Sequence, residues 1–158
     1  MKSHAAGYGV IPPDKARSMD ALPLFQEMLA GKVPAPPIAE QLGFWMSEVE
    51  HGRVVFEYEP VAAHFNPLGT IHGGIAATLL DSVMGCAIHS TLKAGSGFTT
   101  LEIKVNYVRA MSDKTGIVKA EGKVINVGSR IATAEGRIVD STGKLVAHGT
   151  TTCLILQL

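Results

Sequence analysis

Between Pro60 and Leu92 the chain carries one formal charge, the carboxylate of Asp81. Drawn on a helix, Thr78, Asp81, Ser82, Gly85 and His89 share a narrow stripe, because residues three and four apart stack. A carboxylate set among small and apolar residues can act as a base or as a nucleophile. A solvent-facing stripe would explain the same positions, but an ordinary one carries Glu or Lys, and neither occurs in this helix.

The run His72-Gly73-Gly74 stands at the start of the same predicted helix. The first amides of a helix lack intrahelical acceptors, and glycine lets a ligand oxygen approach them without a Cβ in the way. Such an end favours a developing negative charge, as an oxyanion hole must. Close helix–strand packing would account for the glycine pair equally well, and His72 could simply cap local backbone. Asn66-Pro67-Leu68-Gly69 is a turn signature whose amide could otherwise orient a water or a carbonyl. Thr100 begins what reads as the polar side of the strand after the helix, a position that sheet propensity alone would explain.

Other chemistries lack their residues. There is no GxGxxG, GxxxxGK[ST] or GxSxG, so dinucleotide, P-loop and serine-hydrolase readings have no positive support. The histidines form no HExxH or other clustered ligand pattern, so no metal is expected. Cys86 and Cys153 stand far apart without a CxxC, which predicts two buried thiols.

The elements that must hold these residues follow from composition and period. Residues 1–17 are rich in small residues and read as a flexible arm, and 18–158 as a single domain. Asp20 is placed to cap a short helix, ALPLFQEMLA, which Gly31 ends, and Pro34, Pro36 and Pro37 stiffen the connector that follows. Leu42–Val49 and Arg53–Glu59 read as paired strands, with Phe44 and Trp45 explained by cross-strand packing. The segment from His72 to Leu92 is apolar on nearly every side and predicts a long helix buried on most faces. Thr99–Val108, Gly116–Val127, Arg130–Val139 and Leu145–Leu156 then read as a long antiparallel meander. In the first of these, Leu101, Ile103, Val105 and Tyr107 face one way and Thr100, Glu102, Lys104 and Asn106 the other. The expected architecture is α+β, with five or six antiparallel strands around one central helix.

Composition limits the partners. The 158 residues are 46% hydrophobic and 18% charged, and 14 Lys plus Arg balance 14 Asp plus Glu. A chain so apolar and so neutral, without basic blocks, reads as globular and not as a nucleic-acid binder. It lacks an uninterrupted apolar stretch of about 20 residues, so no membrane span is expected. The amino end shows no secretory apolar run, and a cytoplasmic location is the expectation.

The run from Asn66 to Gly74 (NPLGTIHGG), then Ala76–Ser82 (AATLLDS), and later Thr99–Tyr107 (TTLEIKVNY) resembles the hotdog-fold acyl-CoA thioesterases, in particular the phenylacetate-pathway thioesterase family. The similarity extends from about Leu29 to Leu156. The resemblance implies a highly curved antiparallel sheet wrapped around a long central helix. It also implies dimers joined sheet edge to sheet edge, often paired into tetramers, with active sites at the dimer interface. By motif, Asp81 matches the catalytic carboxylate, and Gly73 the residue whose N–H holds the thioester oxygen. Asn66 matches an amide that orients the water or carbonyl, Thr100 a hydroxyl that assists the water, and His72 the motif histidine, whose role is less fixed. The function so implied is hydrolysis of an acyl-CoA to a carboxylic acid and coenzyme A, with coenzyme A as part of the substrate and no separate cofactor.

Two other functions fit the same fold. A non-catalytic acyl-CoA or small-ligand binding module is disfavoured by Asp81, since an uncompensated carboxylate is costly in a passive apolar pocket. Hydratase or dehydratase chemistry is disfavoured because the related dehydratases carry His-Phe-Pro and a helix Glu, where this chain has His64-Phe65-Asn66 and Asp81. Phe65, Leu68, Met84, Ile88 and Leu92 are the side chains expected to line an acyl pocket. Arg109, Lys114, Arg130 and Lys144 sit at predicted strand ends, where coenzyme A phosphates could be met.

Overall fold

The architecture is seen in a computed structural model that describes residues 3–158. Three short helices come first: α1 (Pro13–Ser18), α2 (Ala21–Leu29) and α3 (Pro37–Leu42). Strands β1 (Phe44–Glu50) and β2 (Arg53–Tyr58) lead to the central helix α4 (Gly73–His89). Strands β3 (Ser96–Tyr107), β4 (Val118–Val127), β5 (Ile131–Val139) and β6 (Leu145–Gln157) complete the chain. All six strands form one antiparallel sheet in the order β1-β2-β4-β5-β6-β3. Helix α4 packs against every strand from β2 to β3, so the sheet wraps around it as expected.

The contact between α4 and the sheet depends on two members of a three-glycine row, Gly122 and Gly136, whereas a Cβ at Gly149 would meet the Lys104 carbonyl of β3. Gly122 of β4 pairs with Gly136 of β5, and Gly136 pairs with Gly149 of β6, which makes a row without side chains across the sheet. Helix α4 lies over this row. A Cβ at Gly122 would overlap the carbonyl of Val83, and one at Gly136 would come within 2.9 Å of Met84 Cγ and 3.0 Å of Leu80 Cδ2. Leu79, Leu80, Val83, Met84, Ala87 and Ile88 are buried above it, against small residues such as Ala120, Ala132 and Ala134.

Several expectations need correction. The last four strands are not one meander. Strand β3 lies at the far edge beside β6, with Ser96 opposite Gln157 and Tyr107 opposite Ala147, while β4 inserts between β2 and β5. The two long strands β3 and β6 match in length, and β6 takes β5 on its other side. Asp20 does not cap α2 with its side chain; its carboxylate instead accepts from Lys93 Nζ at 2.9 Å and from the Ala94 N–H at 2.9 Å, tying α2 to the exit of α4. Gly31 does follow α2, with φ 70°. The proline connector contains α3, which Gly43 ends at φ 66°, so Leu42 is helical and β1 begins at Phe44.

The segment expected as a flexible arm meets the body at several points from His4 onward. Residues 13–17 lie in α1, the Gly9 N–H donates to the Ala35 carbonyl at 2.9 Å, and His4 Nε2 meets the Met28 carbonyl at 2.8 Å. Residues 1 and 2 lie outside the described residues.

The glycine row yields a paired prediction. Gly122→Ala should lower the thermal midpoint clearly, by the equivalent of about 1–3 kcal/mol, since helix backbone must move. Gly136→Ala should cost less, because the obstructing atoms are ends of side chains that can rotate. Equal midpoints for the two variants would refute this account of the packing.

Candidate active site

Helix α4 is enclosed on all but one sector. At 100° per residue, Thr78, Asp81 and Ser82 open on that sector, Gly85 and His89 lie on the same side but are packed against Phe98 and Phe25, and most of the remainder of the helix faces the sheet. Asp81 is exposed there, not set in the apolar pocket that its sequence neighbours suggested. Its Oδ1 accepts a hydrogen bond of 2.9 Å from the hydroxyl of Thr100 on β3.

Thr100 reaches Asp81 because β3 is irregular. A β-bulge between Thr100 and Glu102 leaves Leu101 without a cross-strand partner and shifts the alternation by one residue. Phe98 and Thr100 therefore share the inner face with Ile103 and Val105, whereas Leu101 is exposed. This corrects the expectation that Thr100 lies opposite Ile103 and Val105. Phe98 lies over Gly85, where a Cβ would come within 2.7 Å of its ring.

The amino end of α4 holds the other candidates. His72 is the N-cap, and its Nδ1 accepts from the Gly74 N–H at 2.9 Å. That bond puts a neutral His72's proton on Nε2 and occupies the Gly74 amide. The Gly73 N–H is left as the amide able to receive a ligand oxygen. The ring of Tyr107 stands over Gly73, its Cε1 3.2 Å from where a Cβ would sit. Tyr107 is 60% exposed and was not among the residues expected to matter.

Asn66 is held inside its own loop. Its Oδ1 accepts from the Leu68 N–H at 2.9 Å and the Thr70 N–H at 3.3 Å, and its Nδ2 donates to Thr70 Oγ1 at 2.9 Å. The loop is pinned by His72 N–H to the His64 carbonyl at 2.8 Å and Ile71 N–H to the Met111 carbonyl at 2.9 Å.

These candidates form two groups, not one. Gly73 and Asp81 are eight residues apart on α4, about 12 Å along its axis at 1.5 Å per residue. One thioester carbonyl cannot meet both within a single chain.

Both cysteines are free, and neither is poised as a thiolate. Burial first, and then the negative charge of Asp81, push the Cys86 thiol up to about 12, and burial raises that of Cys153 as well. Among the described residues no group of three or more His, Cys, Asp or Glu is placed to hold a metal ion, and no helix is long and apolar enough to cross a membrane. The side chains expected to line an acyl pocket do not converge: Met84 and Ile88 are buried against the sheet, whereas Leu68 is 89% exposed on its loop.

The sequence profile of the thioesterase superfamily matches residues 68–147. The chain belongs to the thioesterase superfamily. The matched span contains His72, Gly73, Asp81 and Thr100 but stops short of Asn66. Among relatives, a 1,4-dihydroxy-2-naphthoyl-CoA hydrolase of Listeria monocytogenes is 27% identical over 109 residues, 69% of this chain and 87% of its own length. Human acyl-coenzyme A thioesterase 13 is 29% identical over 99 residues, 62% of this chain and 69% of its own. Among solved structures, a phenylacetic acid degradation-related protein of Ralstonia eutropha superimposes with a TM-score of 0.74 at 29% identity, covering 82% of this chain and 98% of its own. The fold is thus the hotdog fold of these thioesterases, and thioester hydrolysis is the chemistry of this member.

One group beside the thioesterase site titrates. His89, at the end of α4, packs edge-on against Phe25 at 5.2 Å and tilted against Phe98 at 5.4 Å. Burial holds its pKa below the ordinary 6.5. The unfolded chain therefore takes up this proton first, so stability present above about pH 6.5 is lost as pH falls through the folded value. Thermal melts from about pH 7.5 to about pH 5 should show that loss, and His89→Phe should remove part of it. An unchanged slope in the variant would exclude His89 as its source.

Proposed function

We propose that the protein hydrolyses acyl-CoA thioesters to a carboxylic acid and free coenzyme A, in sites that each combine two copies of the chain. Asp81 and Thr100 of one copy would face Gly73 and Asn66 of the other. The observation that carries this reading is the separation of the Asp81–Thr100 pair from the Gly73 amide, since each group alone is half of a hydrolytic site. The names of the relatives above support the acyl-CoA substrate.

The edge of β3 supports the association. Its outer side has no hydrogen-bonded neighbour among the described residues, and Leu101, Tyr107 and Val108 are exposed along it. A long unpaired edge, with these apolar side chains set among exposed Thr99, Glu102 and Lys104, is a template for pairing with a second copy. A homodimer is the minimum, and pairing of two dimers into a tetramer follows the family resemblance.

In the proposed mechanism Asp81 is the general base. Thr100 holds Oδ1 and fixes the carboxylate, leaving Oδ2 to take a proton from water. The water oxygen attacks the thioester carbon, and the partner's Gly73 N–H stabilises the oxyanion, a contribution typically of about 3 kcal/mol. The intermediate collapses, the C–S bond breaks, and the coenzyme A thiolate recovers the proton from Asp81. Attack by the carboxylate itself is the alternative route. Asn66 would orient water or carbonyl, His72 would keep the amino end of α4 in shape, and no metal or further cofactor enters any step.

Asp81→Asn should lower turnover of acyl-CoA at least about a hundredfold without changing the melt, while Asp140→Asn on an exposed turn stays near wild type. Thr100→Ala and Asn66→Ala should cost less. Equal rates for Asp81→Asn and Asp140→Asn would remove Asp81 from the mechanism. The shared site has its own test. Copies carrying Asp81→Asn and copies carrying Gly73→Ala, co-expressed and purified as mixed dimers, should recover about half of wild-type activity, because one of two sites is then intact. Inactive mixed dimers would show that both groups serve a site within one chain.

A further inference from the structure

Resting on the hydrolytic reading, we propose that the acyl group enters a cavity formed beneath the amino-terminal segment, and that this segment sets acyl specificity. The cavity has a volume of about 230 Å³ and lies between α2, α3, β1 and the last turns of α4. Phe25 and Met28 of α2, Ala39 of α3, Trp45 of β1, and Cys86 and His89 of α4 form its wall. Its wall is mostly apolar, and burial keeps His89 neutral and the Cys86 thiol protonated at neutral pH.

Three observations point to an acyl group as its occupant. From Asp81 the side of α4 that carries Ser82, Cys86 and His89 leads to the cavity, alongside the ring of Phe98 over buried Gly85, so a chain attached to a carbonyl at Asp81 is directed along it. Cys86 lies five residues from Asp81, about 7.5 Å along the axis. The volume is the second. A cavity of about 150 Å³ holds benzene, so 230 Å³ accommodates about nine carbons, as an aryl-alkyl or medium straight chain. Third, most of the wall comes from residues before Gly52, outside the span that matches the superfamily profile. Gly73, Asp81 and Thr100 lie within that span, whereas most of the pocket wall lies before it.

The test measures kcat/KM for acetyl-, hexanoyl-, 3-phenylpropanoyl- and hexadecanoyl-CoA. Rates should rise from acetyl to 3-phenylpropanoyl, by up to about fourfold per buried methylene, and fall again for hexadecanoyl-CoA. Ala39→Phe, which fills the cavity, should lower the 3-phenylpropanoyl value at least about tenfold while acetyl-CoA changes less than about threefold. Ala39 is buried and its variant could fail to fold. Leu29→Asp places a charge at the rim on a residue that is 44% exposed, and should discriminate in the same way. Trp45 is the chain's one tryptophan, so its fluorescence reports occupancy without turnover. In Asp81→Asn protein, 3-phenylpropanoyl-CoA should alter its emission and acetyl-CoA should not. Folded variants that change all substrates alike, or identical emission with both ligands, would overturn the assignment. No hydrolysis of any acyl-CoA with the Trp45 response intact would overturn the hydrolytic reading and leave the cavity assignment supported.

Discussion

The close approach of α4 to the glycine row of β4, β5 and β6 is the constraint on which the rest depends. With Gly122 and Gly136 side by side, the helix settles onto the sheet, its backbone against Gly122 and the side chains of Leu80 and Met84 against Gly136. A helix seated that deeply is covered around most of its circumference. What is left is one narrow sector, and the polar residues of α4 lie within it. The solitary charge of the segment is thus a result of packing: wherever the sheet covers the helix, an ionised side chain would be buried without a partner, at a cost of several kcal/mol.

The same seating fixes the division of the site. Gly73 begins α4 and Asp81 stands near its middle, so a rigid rod holds the two apart at constant distance. No rearrangement of side chains closes that gap. The Asp81–Thr100 contact is in turn set by β3, whose single extra residue at Leu101 decides which hydroxyl meets the carboxylate.

Much of this was legible in the sequence, for identifiable reasons. The helix could be read because its apolar residues fall on all sides, and β5 because Ala132, Ala134, Gly136 and Ile138 alternate with exposed neighbours. Asp81 stood out by charge alone. The position of β3 was not legible, because alternation describes the faces of a strand and says nothing about its neighbours. The bulge was hidden for a related reason: Thr100-Leu101-Glu102 alternates perfectly on paper, and only the pairing with Cys153 and Thr152 reveals the extra residue. Asp20 has the type and position of a cap, yet the stronger partners Lys93 and Ala94 lie more than 70 positions away. The apolar cavity is not legible because its wall is gathered from five separate elements and the segments between them, and Trp45 is sufficiently explained by the strand beside it.

The place of β3 also bears on when the protein becomes competent during its own synthesis. Among the described residues β3 is hydrogen-bonded to no strand but β6, whose residues are translated about forty to sixty positions later. Helix α4 and strands β1, β2, β4 and β5 can come together on the nascent chain before that. Thr100 is by then long made, but β3 has only its packing on α4, through Phe98 over Gly85, and no strand to pair with. The strand pairing that sets the register of Thr100 opposite Cys153 becomes available only when β6 has left the ribosome and can pair between β5 and β3. A chain stalled before that strand would carry every residue of the motif and lack the pairing that sets the register of its Asp81–Thr100 half.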